Sequence, residues 1–325
     1  MKVLVTGAAG FIGSNLTEYL LARGYDVIGV DNFNDFYNPK IKEYNIKNFL
    51  PNPHFKLYRT DILKTSELEK VFAQEKNIDA IVHFAAWAGV TLSLEKPVVY
   101  VQNNIEGTVN LLENAIKHKV GNFLFASTSS IYGDNPTPHN ETMSTDLPLA
   151  PYPATKKACE VMISTYKRNY GLNASIFRIY NPLGPRMRPD LALPKLIRSC
   201  LYGVEFPQYW ANSQDTKRDY TYVLHMLEAM EYVIKNPFKY EIFNLGNSSP
   251  VDLATVIKAV ETVTGKSANL VIKPPRKGEM IDTFANIEKA RSTIGYNPTT
   301  TVEQLVKIYY DWFVLQEDWY RKGEY

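Results

Sequence analysis

Lys2-Val3-Leu4-Val5-Thr6-Gly7-Ala8-Ala9-Gly10-Phe11-Ile12-Gly13 is a short apolar run that breaks at three glycines and gives way to the helical pattern of Leu16, Tyr19, Leu20 and Ala22. Strand, glycine turn and helix, in that order, are the context a dinucleotide-binding fingerprint requires. Gly7 permits the tight turn, Gly10 lets the backbone approach a pyrophosphate, and Gly13 allows close packing of helix on strand. The N-terminus of the helix, at Phe11 and Ile12, offers unpaired N–H donors to the anion. An ordinary strand-to-helix turn also contains glycines, so the reading depends on the rest of the chain.

The next segments repeat the alternation. A strand over Asp26–Val30 ends in Asp31, about 20 residues past the glycines, where a carboxylate binds the adenosine ribose diol and repels a 2′-phosphate. Asn32 follows, and no lysine or arginine occurs between Asp31 and Tyr37, which points to NAD rather than NADP. The Asn-, Pro- and Tyr-rich stretch up to Pro53 reads as a long connection of the functional kind. Residues 55–59 form a third strand leading to Asp61 and Ile62, with Asp61 in reach of an adenine amino group. Residues 79–84 form a fourth, and Phe84, Ala85 and Ala86 keep side chains small where a cofactor crosses the sheet edge. A helix over 98–117 carries Asn103, and a fifth strand over 122–127 runs into Thr128-Ser129-Ser130. A sixth, over 174–178, is expected to close the nucleotide domain, with Tyr180-Asn181-Pro182 at its C-terminal end. Helical patterns follow each strand, so the fold class is α/β, a Rossmann-like doubly wound parallel sheet with ligands at the strands' C-terminal ends. Residues 1–178 make that domain. Residues 179–325, loop-rich at first and then strand-like over Tyr240–Leu245 and helical over 251–263 and 302–319, make a smaller α/β substrate domain, some of whose segments return to the first.

Tyr152-Pro153-Ala154-Thr155-Lys156 sets a phenol and an ammonium four residues apart, on one helical face. A phenol of pKa ~10 acting as a base at neutral pH needs a shift of roughly 3 units, about 4 kcal/mol. One cation supplies nearly that, about 4 kcal/mol at ~4 Å for an effective dielectric of ~20. Proline suits the first helical position and disfavours helical conformation before it, which puts Pro153 at the helix start and Tyr152 at the cap.

Composition excludes several other classes. The net charge of +2, with lysines and carboxylates interspersed, argues against a nucleic-acid partner. No apolar run approaches the ~20 residues of a membrane span. Two cysteines, Cys159 and Cys200, are too few for a disulfide framework and have no metal-ligand neighbours, so no metal and a cytoplasmic location are expected. The many aromatic residues, 22 Tyr and 15 Phe, are scattered as core and cleft walls are.

In order and spacing, Gly7, Gly10, Gly13, Asp31, Thr128, Tyr152 and Lys156 resemble the extended short-chain dehydrogenase/reductase family, in its nucleotide-sugar epimerase branch, over essentially the whole chain. The resemblance implies that Tyr152 is the acid/base, that Lys156 holds the nicotinamide ribose and lowers the tyrosine pKa, and that Thr128 bonds the reacting sugar hydroxyl. It implies an NAD site including Asn32, Asp61, Ile62, Phe84, Ala85, Ala86, Ala88, Asn103 and Tyr180. It places Asn181, Arg218, Arg276 and Glu279 at a nucleoside diphosphate, with Glu279 where the family often has aspartate. Dehydratases of the family carry Asp-Glu after the catalytic threonine and decarboxylases a glutamate at the second place. Ser129 and Ser130 stand here, which leaves epimerisation.

For the sugar, residues 31–37, 85–90 and 184–190 resemble UDP-glucuronate 4-epimerases, in which Arg188 with Thr128, Ser129 and Ser130 would cradle a sugar carboxylate. The chain departs at Thr91, where arginine is common, at Asn181, where threonine is common, and at Leu224-His225, where acids often stand. Asn181-Pro182 is nearer the UDP-glucose/UDP-galactose type, so a neutral hexose or N-acetylhexosamine remains the alternative sugar. An oxidoreductase that releases its cofactor each cycle, or an inactive NAD sensor, is the alternative class. The resemblance also implies a homodimer formed through the helices around 103–117 and 154–166.

Overall fold

The computed structural model describes residues 1–209, 212–214 and 216–324. Its centre is β1 (Lys2–Thr6), which leads through the glycine turn into α1 (Phe11–Leu21) and is flanked by β2 (Asp26–Val30) and β4 (Ala80–His83), both parallel to it. Beyond β2 lies β3 (Phe55–Tyr58); beyond β4 lie β5 (Asn122–Thr128), β6 (Ala174–Ile179) and finally the strand Tyr240–Leu245. Every pairing in this seven-stranded sheet is parallel. Chain order runs outward from β1 in one direction and from β4 in the other, so the topological switch point opens between β1 and β4, where ligands bind in such sheets.

Alternation along the strands feeds two hydrophobic layers. Val3, Val5, Val27, Val82 and Leu124 enter one, while Leu4, Ile28, Ile81, Phe123 and Phe125 enter the other. A strand buried on both faces reads as a continuous apolar run because its period-two sides are both core.

Several sequence expectations change. Strand β6 does not close the sheet: Tyr240–Leu245 pairs outside it, returning from the second half of the chain. The connection after Asp31 contains a helix, α2 (Pro39–Ile46), begun by Pro39 and by Asn38, whose side chain accepts from Lys40 N at 2.9 Å. The helix expected over 98–117 is three pieces, a turn at Pro97–Tyr100, a π-helical stretch Val101–Glu106 and a regular helix Gly107–Lys117. The expected 302–319 helix stops at Val314, and a separate turn, Asp318–Lys322, follows.

The helix that carries the tyrosine–lysine pair spans Pro151–Tyr170, with Ala150 as its cap. Pro151, not Pro153, takes the first position, and Tyr152 lies inside the first turn. Both prolines fit there because the first helical N–H groups have no intrahelical acceptor, so a missing donor costs nothing.

Candidate active site

At the C-terminal ends of the strands a single cavity of about 820 Å³ reaches from the glycine turn to loops of the second half of the chain. The glycine turn requires glycine for steric reasons. Gly7 has a φ of +69°, and a Cβ there would meet Ala85 N at 2.9 Å. A Cβ on Gly13 would sit 2.1 Å from Gly7 O. Gly10, Phe11, Ile12 and Gly13 line the cavity beside them.

Next to this turn Asp31 is buried and accepts from Ala9 N at 3.1 Å and Phe33 N at 2.9 Å. The Lys42 ammonium approaches the same carboxylate at 3.4 Å and Asn34 Oδ1 at 2.9 Å. Tyr37 Oη is buried beside Gly10 with no partner among the described residues, a free hydroxyl at the place where the glycine backbone admits an anion. Small Ala85, Ala86 and Ala88, with Ile62, Phe84 and Asn103, continue the wall. A glycine cradle, a ribose-type carboxylate and an unengaged hydroxyl fit a bound dinucleotide.

Two expected cofactor residues lie outside the lining. Asp61 accepts from Asn32 Nδ2 at 2.7 Å, so it holds a cavity residue rather than facing the cavity. Tyr180 is fully buried beside the stacked rings of Tyr132 and His139, while its neighbours Ile179 and Asn181 line the cavity.

Tyr152, Lys156, Thr128, Ser129 and Ser130 meet on one wall of the same cavity. Burial pushes the Tyr152 phenol up, and the Thr128 hydroxyl and the Arg188 charge pull it only partly back. Burial likewise lowers Lys156 to about 8, opposed by Cys159 and Glu160, and its ammonium lies 4.5 Å over the Phe125 ring. Loss of water thus sets the direction at both groups, raising the phenol and lowering the ammonium.

The remaining expected residues converge from the second half of the chain. Asn181 has a φ of +23° and donates to Thr283 Oγ1 at 2.8 Å. Arg276 stacks 3.6 Å over Tyr209 and pairs with Glu279 at 3.3 Å. Arg218 lines the cavity, but its Nη1 and Nη2 donate to the carbonyls of Lys217, Ile281 and Met280. Arg188 is engaged by Asp190.

Residues 3–246 match the family described as "NAD dependent epimerase/dehydratase family". The chain belongs to this family. It is 37% identical over 310 residues to a UDP-glucuronate 4-epimerase of Thermodesulfobacterium geofontis, covering 95% of each chain. The crystal structure of UDP-glucuronic acid 4-epimerase from Bacillus cereus, in complex with UDP-glucuronic acid and NAD, has a TM-score of 0.90 at 33% identity and full coverage of both chains. UDP-glucose 4-epimerase from Thermotoga maritima, with UDP-glucose, superposes with a TM-score of 0.87 at 30% identity, over 97% of this chain and 99% of that one.

Within this epimerase/dehydratase frame, sequence reading missed Lys42, Trp87, Asp190 and Tyr209, all of which line the cavity. Lys42 lies eleven residues from the acid it pairs with, on a helix read as a loop. Only Asp190 carried a local signal, its two-residue separation from Arg188. Thr91, a departure from the resemblance, also lines the cavity. His225 bonds Thr300 Oγ1 at 2.8 Å and lies outside the lining.

Proposed function

We propose that this chain is an NAD-dependent UDP-sugar 4-epimerase whose substrate is UDP-glucuronate and whose product is UDP-galacturonate. The observation that carries the reading is the convergence of Tyr152, Thr128 and Lys156 with the glycine turn and Arg188 in one cavity. The relatives named above act on UDP-sugars, and one is seen with UDP-glucuronic acid and NAD, which supports the assignment.

NAD, which Gly7, Gly10, Gly13 and Asp31 would hold, would supply the acceptor for the hydride of the sugar C4 and its return to the opposite face. Tyr152 Oη takes and returns the proton of the C4 hydroxyl, with Thr128 as hydrogen-bond partner to phenol and sugar alike. Lys156, a buried ammonium with a lowered pKa, orients the nicotinamide ribose. The 4-keto uronate is a β-keto acid prone to lose carbon dioxide, and Ser129, Ser130 and Arg188 hold its carboxylate out of the alignment that allows the loss. Residues 1–178, with the returning strand Tyr240–Leu245, hold NAD, and the rest of 179–325 holds the UDP-sugar through Asn181, Arg218, Arg276 and Glu279. We place the enzyme in the cytoplasm as a homodimer, a reading supported by two free buried cysteines and by exposed Leu94, Val98, Val101 and Val161 on helices that pack together. No described helix is long and apolar enough to cross a membrane.

Asn181 favours a second reading, a neutral hexose as the sugar. Incubating purified protein with UDP-glucuronate, UDP-glucose and UDP-N-acetylglucosamine, with no added cofactor, tests both readings by chromatography. Conversion of UDP-glucuronate supports the first. Conversion of UDP-glucose alone supports the second, and a requirement for stoichiometric NAD would indicate an oxidoreductase.

A further inference from the structure

The turn that follows the strand Pro182–Leu183 brings to the cavity, beside Arg188, an acid to which the proposed chemistry gives no role, Asp190. Arg188, expected to hold the carboxylate of the sugar, already holds one. Its Nε donates to Asp190 Oδ1 at 3.0 Å and its Nη2 to Asp190 Oδ2 at 2.8 Å. Two parallel bonds to one guanidinium edge are the geometry that a free carboxylate adopts on arginine. Backbone structure makes the pair local: Leu191 N donates to Arg188 O at 3.2 Å, and Pro189 between the partners restricts the turn that folds Asp190 back.

The two partners differ in freedom. Arg188 lies 4.8 Å over the Phe36 ring and its side chain is 17% exposed, so packing holds the guanidinium in the cavity wall. The Asp190 side chain is 48% exposed, so water is at hand to replace the guanidinium as its partner. An arginine fixed in place and an acid free to leave make an exchangeable seat.

We infer that Asp190 is a specificity-determining residue, an internal stand-in that competes with the substrate carboxylate for Arg188. It yields the guanidinium when a uronic acid enters and keeps it when the sugar is neutral. The inference rests on the proposed UDP-sugar reaction and adds to it a direction: the native acid works against the uronate, and its charge narrows the preference for uronate over hexose. A carboxylate in the cavity is repelled by Asp190 as well as attracted by Arg188, whereas a neutral sugar meets a closed, internally neutral pair.

The test is made in a Tyr152→Phe background, so that bound sugar is not converted, using the NAD-loaded protein and calorimetric titration with UDP-glucuronate and with UDP-glucose. Asp190→Asn keeps the shape and removes the charge; Asp190→Ser removes the two-point acceptor as well, and thermal denaturation verifies that each variant is folded. The ratio of uronate to hexose affinity should rise about two- to fivefold in both variants, the scale of one partly exposed charge pair. An unchanged ratio, or weaker uronate binding because Asp190 holds Arg188 in a productive pose, overturns the inference. Turnover of UDP-glucuronate by the unsubstituted enzyme is measured separately. Its absence would remove the proposed substrate, while the affinity ratio would still decide the role of Asp190.

Discussion

Lys156 is the residue at which burial and chemistry conflict most openly. Its pKa falls from the ordinary 10.5 to about 8 because the ammonium is out of water. Below about pH 8 both folded and unfolded chains carry the proton, and the folded state bears the full penalty of a buried charge. Between 8 and 10.5 the unfolded chain binds more protons, so this group's contribution to stability becomes more favourable as pH rises. Lys156→Met should therefore raise the melting temperature at pH 7, with the gain shrinking toward pH 10.5, as scanning calorimetry would show; turnover should be lost at every pH. Tyr152→Phe should leave the fold and NAD content unchanged while lowering kcat by about 10²- to 10⁴-fold, the range for removing a general acid/base. Retained turnover would move the proton-transfer role elsewhere. Arg188→Ala should lower kcat/KM for UDP-glucuronate by about 10- to 100-fold, as for loss of charged hydrogen bonds, and that for UDP-glucose much less. Equal losses would make Arg188 a structural residue. The tyrosine–lysine spacing was legible because residues four apart on a helix share a face whatever surrounds them. The direction of the phenol's shift was not, since it depends on how much water the finished cavity excludes.

At the scale of the element, α2 shows what local pattern hides. Helix propensity over Pro39–Ile46 is modest, and an Asn-Pro start resembles a loop. Tertiary contacts hold the helix: buried Asn45 Nδ2 donates to Ala9 O at 3.0 Å, and Lys42 reaches Asp31 and Asn34. It thereby braces the glycine turn from outside. Asn45→Ala should cost about 1–3 kcal/mol, the price of leaving a buried carbonyl unpaired, and should weaken NAD binding in a fluorescence titration. A loss of stability with unchanged NAD affinity would show that α2 supports the fold and not the cofactor turn. The first βα unit, by contrast, follows directly from local sequence. Only glycine tolerates the left-handed turn at residue 7 and the close approach at residue 13, and the runs on either side switch from a continuous apolar strand to a helical period of 3.6.

Across the whole molecule, buried Arg178 and Glu160 join β6 to the helix behind it through bonds of 2.9 and 3.1 Å, with Ser127 and Tyr132 attached to the same network. Breaking such a pair from one side leaves an uncompensated charge, so Glu160→Gln should destabilise the protein by about 3–5 kcal/mol in denaturant titration. For the proposed dimer, Val101→Glu should shift sedimentation from two chains to one; an unchanged sedimentation coefficient would place any interface elsewhere. The doubly wound parallel fold, the glycine turn, Asp31 and the tyrosine–lysine pair were determined by the sequence itself, because each depends on contacts within one strand–turn–helix unit or one helical turn. Tertiary structure alone decided that Tyr240–Leu245 returns to the sheet, that Lys42 meets Asp31, that Tyr180 turns inward and that Arg188 faces the cavity already paired. These outcomes depend on which distant segments come to share one dry space, and local periodicity carries no record of that.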